Sequence, residues 1–379
     1  MRKSFAVLVF MLATLVTLPA QAQQKGWQFD LSVSGVSIDN YPGHWMDKLN
    51  YKYENTANSK LVRIDYKLTY DPIVVKPQDT AVPMLNLSYG WKKGVVGLRF
   101  FSYEGDDSTQ GRVESKPCLF YPDKNLLSCD VNTVRAFGHN FLFPLTKMDE
   151  ESGLSPVNYY AQTSLKLRDI DLYWLLENDR FDWGILIKAV DISESIADGI
   201  AMDSFIPHYP DGKESDPDWY NHATLDMTGK MSGTFIGPGF IVRGSVTRNR
   251  FIFEASASAA LVVGTARYKS EWRDLDNAKL VNHATGTLIR PVVYDGQFPY
   301  SDSRTVAIPI VDLTADTFWK VSGWLSLGAG VYAKAYFNVP LSRVWTIPGT
   351  WTISEGALWE ARSTTLTAMG AHATIRLSF

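Results

Sequence analysis

From residue 27 onward the chain alternates apolar and polar positions. Trp27, Phe29, Leu31 and Val33 share one parity; Gln28, Asp30 and Ser32 take the other. Val62, Ile64, Tyr66, Leu68 and Tyr70 alternate with Arg63, Asp65, Lys67 and Thr69. Phe251, Phe253, Ala255, Ala257, Ala259, Leu261 and Val263 alternate with Glu254, Ser256 and Ser258. A period of two belongs to a strand with different solvents on its two faces. The rhythm predicts twelve strands: 27–33, 46–53, 61–70, 85–91, 96–100, 159–174, 181–192, 223–247, 251–267, 319–337, 344–353 and 362–379. The second and eleventh are weak, which leaves ten as the alternative. Residues 71–82, 105–157, 193–221 and 272–317 read as loops, and Gly237-Pro238-Gly239 reads as a bulge or kink.

The last eleven residues, MGAHATIRLSF, repeat the pattern to the end. Phe379, Leu377, Ile375, Ala373 and Ala371 form the apolar face; Ser378, Arg376, Thr374 and His372 form the polar one. A closing strand with a terminal Phe resembles the C-terminal signature of Gram-negative outer-membrane β-barrel proteins. The resemblance is to the class. It implies an all-β, antiparallel transmembrane barrel in the cell outer membrane, in contact with its lipid. It also implies recognition of the closing strand by the barrel-assembly machinery. A homo-oligomer is compatible with it, but no lipid-facing patch stands out as a contact.

The physics agrees with that class. In hydrocarbon every backbone N–H and C=O needs an internal partner, and without helical spans only a closed sheet supplies one. A soluble sandwich or propeller also alternates. Several strands here are longer than the 5–6 residues usual in soluble sheets, and their apolar faces mix Ala and Gly with aromatics. With both termini in the periplasm, ENTANSK, WKKG, ENDR, TRNR and NVPLS fall on the periplasmic side and the long links outside, the expected asymmetry.

The N-terminus supplies an address. Met1-Arg2-Lys3, the uncharged stretch 5–18 and Ala20-Gln21-Ala22 read as a secretory signal peptide cut after Ala22. The barrel then occupies 23–379. Aromatic content of 13% suits interfacial girdles. Without Arg2 and Lys3 the chain keeps 35 basic residues against 40 acidic, which excludes a strongly basic nucleic-acid binder. Cys118 and Cys129 lie in a turn-rich stretch of an exported chain and read as one loop-closing disulfide. The alternative, a metal pair, lacks a third ligand nearby.

On this register Arg63, Lys67, Arg99, Lys166, Arg168, Lys188, Lys230, Lys320, Lys334 and Arg376 point into the lumen, with Asp30, Asp65, Asp226 and Glu254 as acidic counterparts. A basic lining favours anions; the bland reading is that these groups pair across a filled interior. Of six histidines none sits in a nucleophile motif, and His208 and His222 with Asp211, Asp216 and Asp218 read as a polar loop. No catalytic, cofactor or metal site is expected. The first function expected is a porin-like channel for small hydrophilic solutes or ions. Second is a closed structural or surface-interaction barrel whose loops bind a partner. An outer-membrane enzyme comes third. The long cysteine-bearing loop is the expected plug of any closed form.

Overall fold

The computed structural model describes residues 26–42, 44–56, 61–113, 119–121, 126–136, 139–140, 157–178, 181–206, 217–282, 285, 287–346 and 358–379. The elements are β1 (Gly26–Asp39), β2 (His44–Thr56), β3 (Leu61–Val75), β4 (Thr80–Trp91), β5 (Gly94–Val113), β6 (Leu119–Tyr121), β7 (Leu126–Ala136), β8 (His139–Asn140), β9 (Val157–Leu176), β10 (Asp182–Ile206), β11 (Pro217–Arg248), β12 (Phe251–Asn282), β13 (Leu288–Lys320), β14 (Leu325–Thr346) and β15 (Leu358–Ser378). No helix long and apolar enough to cross a membrane occurs among the described residues.

Ten strands close the barrel, in the order β1, β15, β14, β13, β12, β11, β10, β9, β5, β4. Closure runs through the two ends of the chain: Trp27 and Phe379 exchange backbone hydrogen bonds of 3.0 and 2.8 Å. The count is ten rather than twelve for two reasons. First, 46–53 and 61–70 belong to β2 and β3, which pair with each other and with β7 in a second sheet. Second, the two remaining errors cancel. Residues 272–317 hold most of β13, a strand where a loop was expected. Of 344–353, residues 344–346 are the end of β14, and 347–353 lie outside the described residues.

The four short hairpin turns lie on the side of the two termini: Lys92-Lys93, 177–181, Asn249-Arg250 and 321–324. Asn249 takes a left-handed φ of 58°, the geometry such a two-residue turn demands. WKKG and TRNR are thus turns as expected; ENDR falls between β9 and β10, and its Asp179 and Arg180 lie outside the described residues. ENTANSK joins β2 to β3 in the second sheet, and NVPLS lies within β14. The turn at 321–324 was hidden inside an apparently continuous alternation. Gly237-Pro238-Gly239 is no bulge either. The β11–β12 register is the same on both sides of it (Ile236 with Val263, Gly239 with Ala260), and only the pairs at Gly237 and Pro238 are missing. A Cβ on Gly237 would sit 1.9 Å from the Leu261 carbonyl oxygen, so the glycine allows a close approach of strands.

The outward faces divide the barrel by height. Near the turns they are apolar and exposed, as at Val33, Leu98, Leu172, Ile185, Phe240 and Leu261. Trp27 with Tyr89, Trp91 with Trp174, and Trp183 with Phe240 form part of an aromatic girdle at this end. Farther up, the phase of the pattern inverts. In β9 the apolar outward residues Trp174, Leu172 and Ile170 give way to apolar inward residues Leu167 and Leu165. In β10, Trp183, Ile185 and Ile187 point out, then Val190 and Ile192 point in. The inversion marks where the outer solvent changes from hydrocarbon to water. β12 has 32 residues and rises roughly 100 Å along its own axis, against a hydrocarbon core of about 30 Å. The barrel therefore stands far above the membrane.

Among the described residues the upper wall is not closed all the way round. β13 pairs with β12 from Leu288 to Trp319 but with β14 only from Ile310 to Lys320. Pro291, Pro299 and Pro309 fall in the one-sided stretch, where an absent N–H costs no ladder bond. This is why a proline-rich segment is a strand. Residues 1–22, expected as a signal peptide, and Cys118 lie outside the described residues. Leu119 and Ser128, the sequence neighbours of Cys118 and Cys129, pair across β6 and β7. The expected disulfide is checked by intact mass after alkylation: a native pair takes up no iodoacetamide until reduced, and uptake of two labels beforehand rules it out.

Candidate functional site: a layered and closed lumen

Inside the barrel three layers lie one above the other. The lowest is centred on Arg376 of β15. Its guanidinium donates to Asp30 at 2.8 and 3.0 Å and to Glu254 at 2.6 and 2.9 Å. Two bidentate carboxylates and the Phe318 ring, 3.5 Å below, fix the side chain. Nearby, His372 Nε2 meets Asp316 at 2.6 Å and Arg243 pairs with Asp182 at 3.3 Å.

The middle layer is centred on Lys188 of β10. Its ammonium lies 2.9 Å from Asp169, 2.6 Å from Asp171 and 2.8 Å from Asp312. Lys334 adds a bond of 2.9 Å to Asp169, and Tyr336 donates to the same carboxylate at 3.0 Å. Arg99 approaches Asp171 at 3.5 Å across the Tyr173 ring. Three cations thus meet three carboxylates. The acidic triad could hold a metal ion by spacing alone, with ligand atoms within 4.8 Å of one another. Lys188 already occupies the cation position with all three carboxylates in contact, so the donor set does not call for one. Between the two charged layers lies a cavity of about 120 Å³. That is room for a few waters, not for a hydrated solute.

Above the charges every barrel strand contributes to one apolar layer. It includes Ile38, Tyr103, Leu167, Ile192, Phe235, Ile308, Tyr336 and Leu366. Here β14 parts from β13 and bends inward while staying paired with β15. Its ladder with β15 slips between Tyr336 and Val339 and again between Leu341 and Val344. Residues Val339 to Arg343 turn into the lumen and are buried. Glu194 on β10 ties this inward segment down. One carboxylate oxygen accepts from the Ser342 backbone N–H; the other accepts from Tyr41 Oη at 2.7 Å. Arg343 lies between Tyr268 and Tyr300, its guanidinium carbon 5.2 and 5.0 Å from their ring centres, and bonds Asp302 at 3.2 Å. On the water-exposed upper wall, the hydrogen bond from Arg304 holds the Asp302 carboxyl below its ordinary range. There too, burial together with the Asp226 carboxylate raises the Tyr160 hydroxyl.

The sequence-derived lumen residues divide accordingly. Lys188, Lys334 and Arg376 are buried inside, Arg99 is mostly so, and Lys320 is half-buried at the turn end. Lys166, Arg168 and Lys230 point outward, as does Asp226; this corrects their assignment to the lumen. Arg63, Asp65 and Lys67 belong to β3 and so to the second sheet. Of the expected plug, the described part of the cysteine-bearing stretch pairs in that sheet, and 114–118, 122–125 and 141–156 lie outside the described residues; among the described residues the segment that turns into the lumen belongs to β14. Asp169, Asp171, Asp312 and Glu194 were missed. For Asp169 and Asp171 the signal was the change of apolar parity along β9, whose inward face stays on odd residues throughout; Asp312 and Glu194 lie in stretches that read as loops. Of the polar constellation, His208, Asp211 and Asp216 lie outside the described residues.

An apolar belt, polar elements above it, a closed antiparallel wall and short turns beside both termini define an outer-membrane β-barrel, and the cell outer membrane is where the chain resides. No family model matches the chain, and no curated protein does. Among solved structures it is similar to the Escherichia coli outer-membrane protease OmpT, with 7% identity, 95% of this chain and 99% of that one covered, and a TM-score of 0.38. It is also similar to the Pseudomonas putida toluene transporter TodX, with 10% identity, 97% and 94% covered, and a TM-score of 0.26. A Pseudomonas aeruginosa FadL homologue follows at 8% identity, 93% and 89% covered, and a TM-score of 0.20.

Proposed function

We propose that this protein is a closed outer-membrane barrel that acts through its tall extracellular part, as a surface-interaction module rather than a constitutive channel. One observation carries the reading: an apolar layer with a contribution from every barrel strand, capped by the inward segment of β14, crosses the lumen. Apolar side chains packed at interior density leave no hydrated path. The porin-like reading is the second. It is favoured by the inward charges beneath that layer, twelve among the described residues (Asp30, Arg99, Asp169, Asp171, Asp182, Lys188, Arg243, Glu254, Asp312, Asp316, Lys334 and Arg376), and it requires the β14 segment to move aside. No catalytic step belongs to either reading. The test is single-channel conductance of the folded, heat-modifiable protein in a planar bilayer under asymmetric potassium chloride. Sustained silence is the expected result. Steady conductance without any stimulus would sink the closed reading and restore the porin-like one.

A further inference from the structure

We propose that Lys230, Arg267 and Lys269, on the outer face of the barrel, bind the phosphorylated sugar headgroup of an outer-leaflet glycolipid. Lys230 of β11 stands directly opposite Lys269 of β12. Arg267 is the next outward residue on β12, opposite Ser232 and Ser303. Like charges facing each other across strands destabilise a sheet, and no carboxylate among the described residues forms an ion pair with any of the three. Glu271 is the outward residue beyond Lys269, and Asp106 lies on the far side of the same groove. The cluster keeps an electrostatic cost that no ion pair among the described residues relieves.

Its height identifies the occupant. Ile236 and Val263 end the lipid-facing run on these strands. Thr234, Thr265 and Thr305 follow in one row across three strands, then the cations. Arg267 and Lys269 come four and six residues after Val263, which at ordinary strand rise and tilt puts them roughly 10 to 15 Å above the hydrocarbon. A simple phospholipid headgroup layer reaches only about 5 to 8 Å. A phosphorylated sugar headgroup reaches this level. A groove of about 890 Å³ lies here, lined on the outward faces by Gln162, Ser164, Ser195 and Ser301 beside the two lysines. The thicket of hydroxyl and amide groups suits sugar hydroxyls as the cations suit phosphate.

The test uses the full-length barrel in detergent with phosphorylated lipid A, its dephosphorylated form and free inorganic pyrophosphate as probes, and native mass spectrometry as readout. Wild type is expected to retain lipid A and to release the dephosphorylated form. The triple variant K230S/R267S/K269S should bind lipid A about a hundredfold more weakly, at roughly a factor of five per basic residue. Unchanged retention by a triple variant that still shows heat-modifiable mobility would overturn the proposal. Pyrophosphate binding as tight as lipid A binding would overturn it too, leaving a site for bare anions. Lys230→Glu separates the two roles. It converts the like-charge pair to an opposite one, so the lipid-free barrel should unfold at a higher temperature while lipid A retention falls. A lowered unfolding temperature or undiminished retention contradicts the assignment.

Discussion

Lys188→Met is expected to cost the barrel about 3–5 kcal/mol, the range for removing one partner of a buried ion pair. The methionine fills much the same volume, so the loss is electrostatic. Asp169, Asp171 and Asp312 all touch the Lys188 ammonium within 2.9 Å, and Lys334 and Arg99 alone would remain to face them. The measurement is denaturant-dependent unfolding in detergent micelles, followed by the mobility change on heating. Adding Asp312→Asn to the same chain should return part of the loss, because a neutral amide replaces an uncompensated charge. The double-mutant cycle then gives the coupling directly. If Lys188→Met proves as stable as wild type, the middle layer is wet and screened, and the lumen is not sealed at that height.

The second large effect concerns the inward segment of β14. Val339 and Leu341 are fully buried in the apolar layer. Replacing both with aspartate would put two carboxylates among apolar side chains, at a cost of several kcal/mol each. The segment is expected to leave the lumen, and the silent protein to become an intermittently conducting one in planar bilayers. Its reversal potential in asymmetric potassium chloride should lean toward potassium, because the inward carboxylates (Asp30, Asp169, Asp171, Asp182, Glu254, Asp312 and Asp316) outnumber the inward cations (Arg99, Lys188, Arg243, Lys334 and Arg376). A clear preference for chloride would restore the basic lining inferred from sequence. Silence from a variant whose segment has become protease-sensitive would show that the wall side chains alone seal the lumen.

Much of the wall was legible because alternation reports a two-solvent strand without any tertiary knowledge. β1, β4, β12 and the closing strand were visible at their membrane ends for that reason. The lumen was harder. The apolar parity was taken as the outward one along each strand, and that fails wherever a strand leaves the bilayer. Along β9 the apolar residues change parity between Leu167 and Ile170, so Lys166 and Arg168 point out and Asp169 and Asp171 point in. The same change occurs in β10 between Ala189 and Val190. Read as a boundary instead of noise, it locates the membrane surface and corrects the interior. The assignment of β2 and β3 to a separate sheet was out of reach, because partner choice among equally good alternating strands is a tertiary matter.

The one-sided reach of β13 carries a consequence for the protein in a crowded membrane. From Leu288 to Pro309 the strand offers its open flank to whatever comes near. A bare flank of that kind is a template on which a second polypeptide can add as a new strand. The three prolines share one parity while the ladder to β12 runs on through them, so their missing donors fall on the open side. They recur at intervals of eight and ten residues, and no incoming strand can pair across a long stretch without meeting one. The residues that obscured this strand in the sequence are thus those that keep neighbouring barrels from fusing along it.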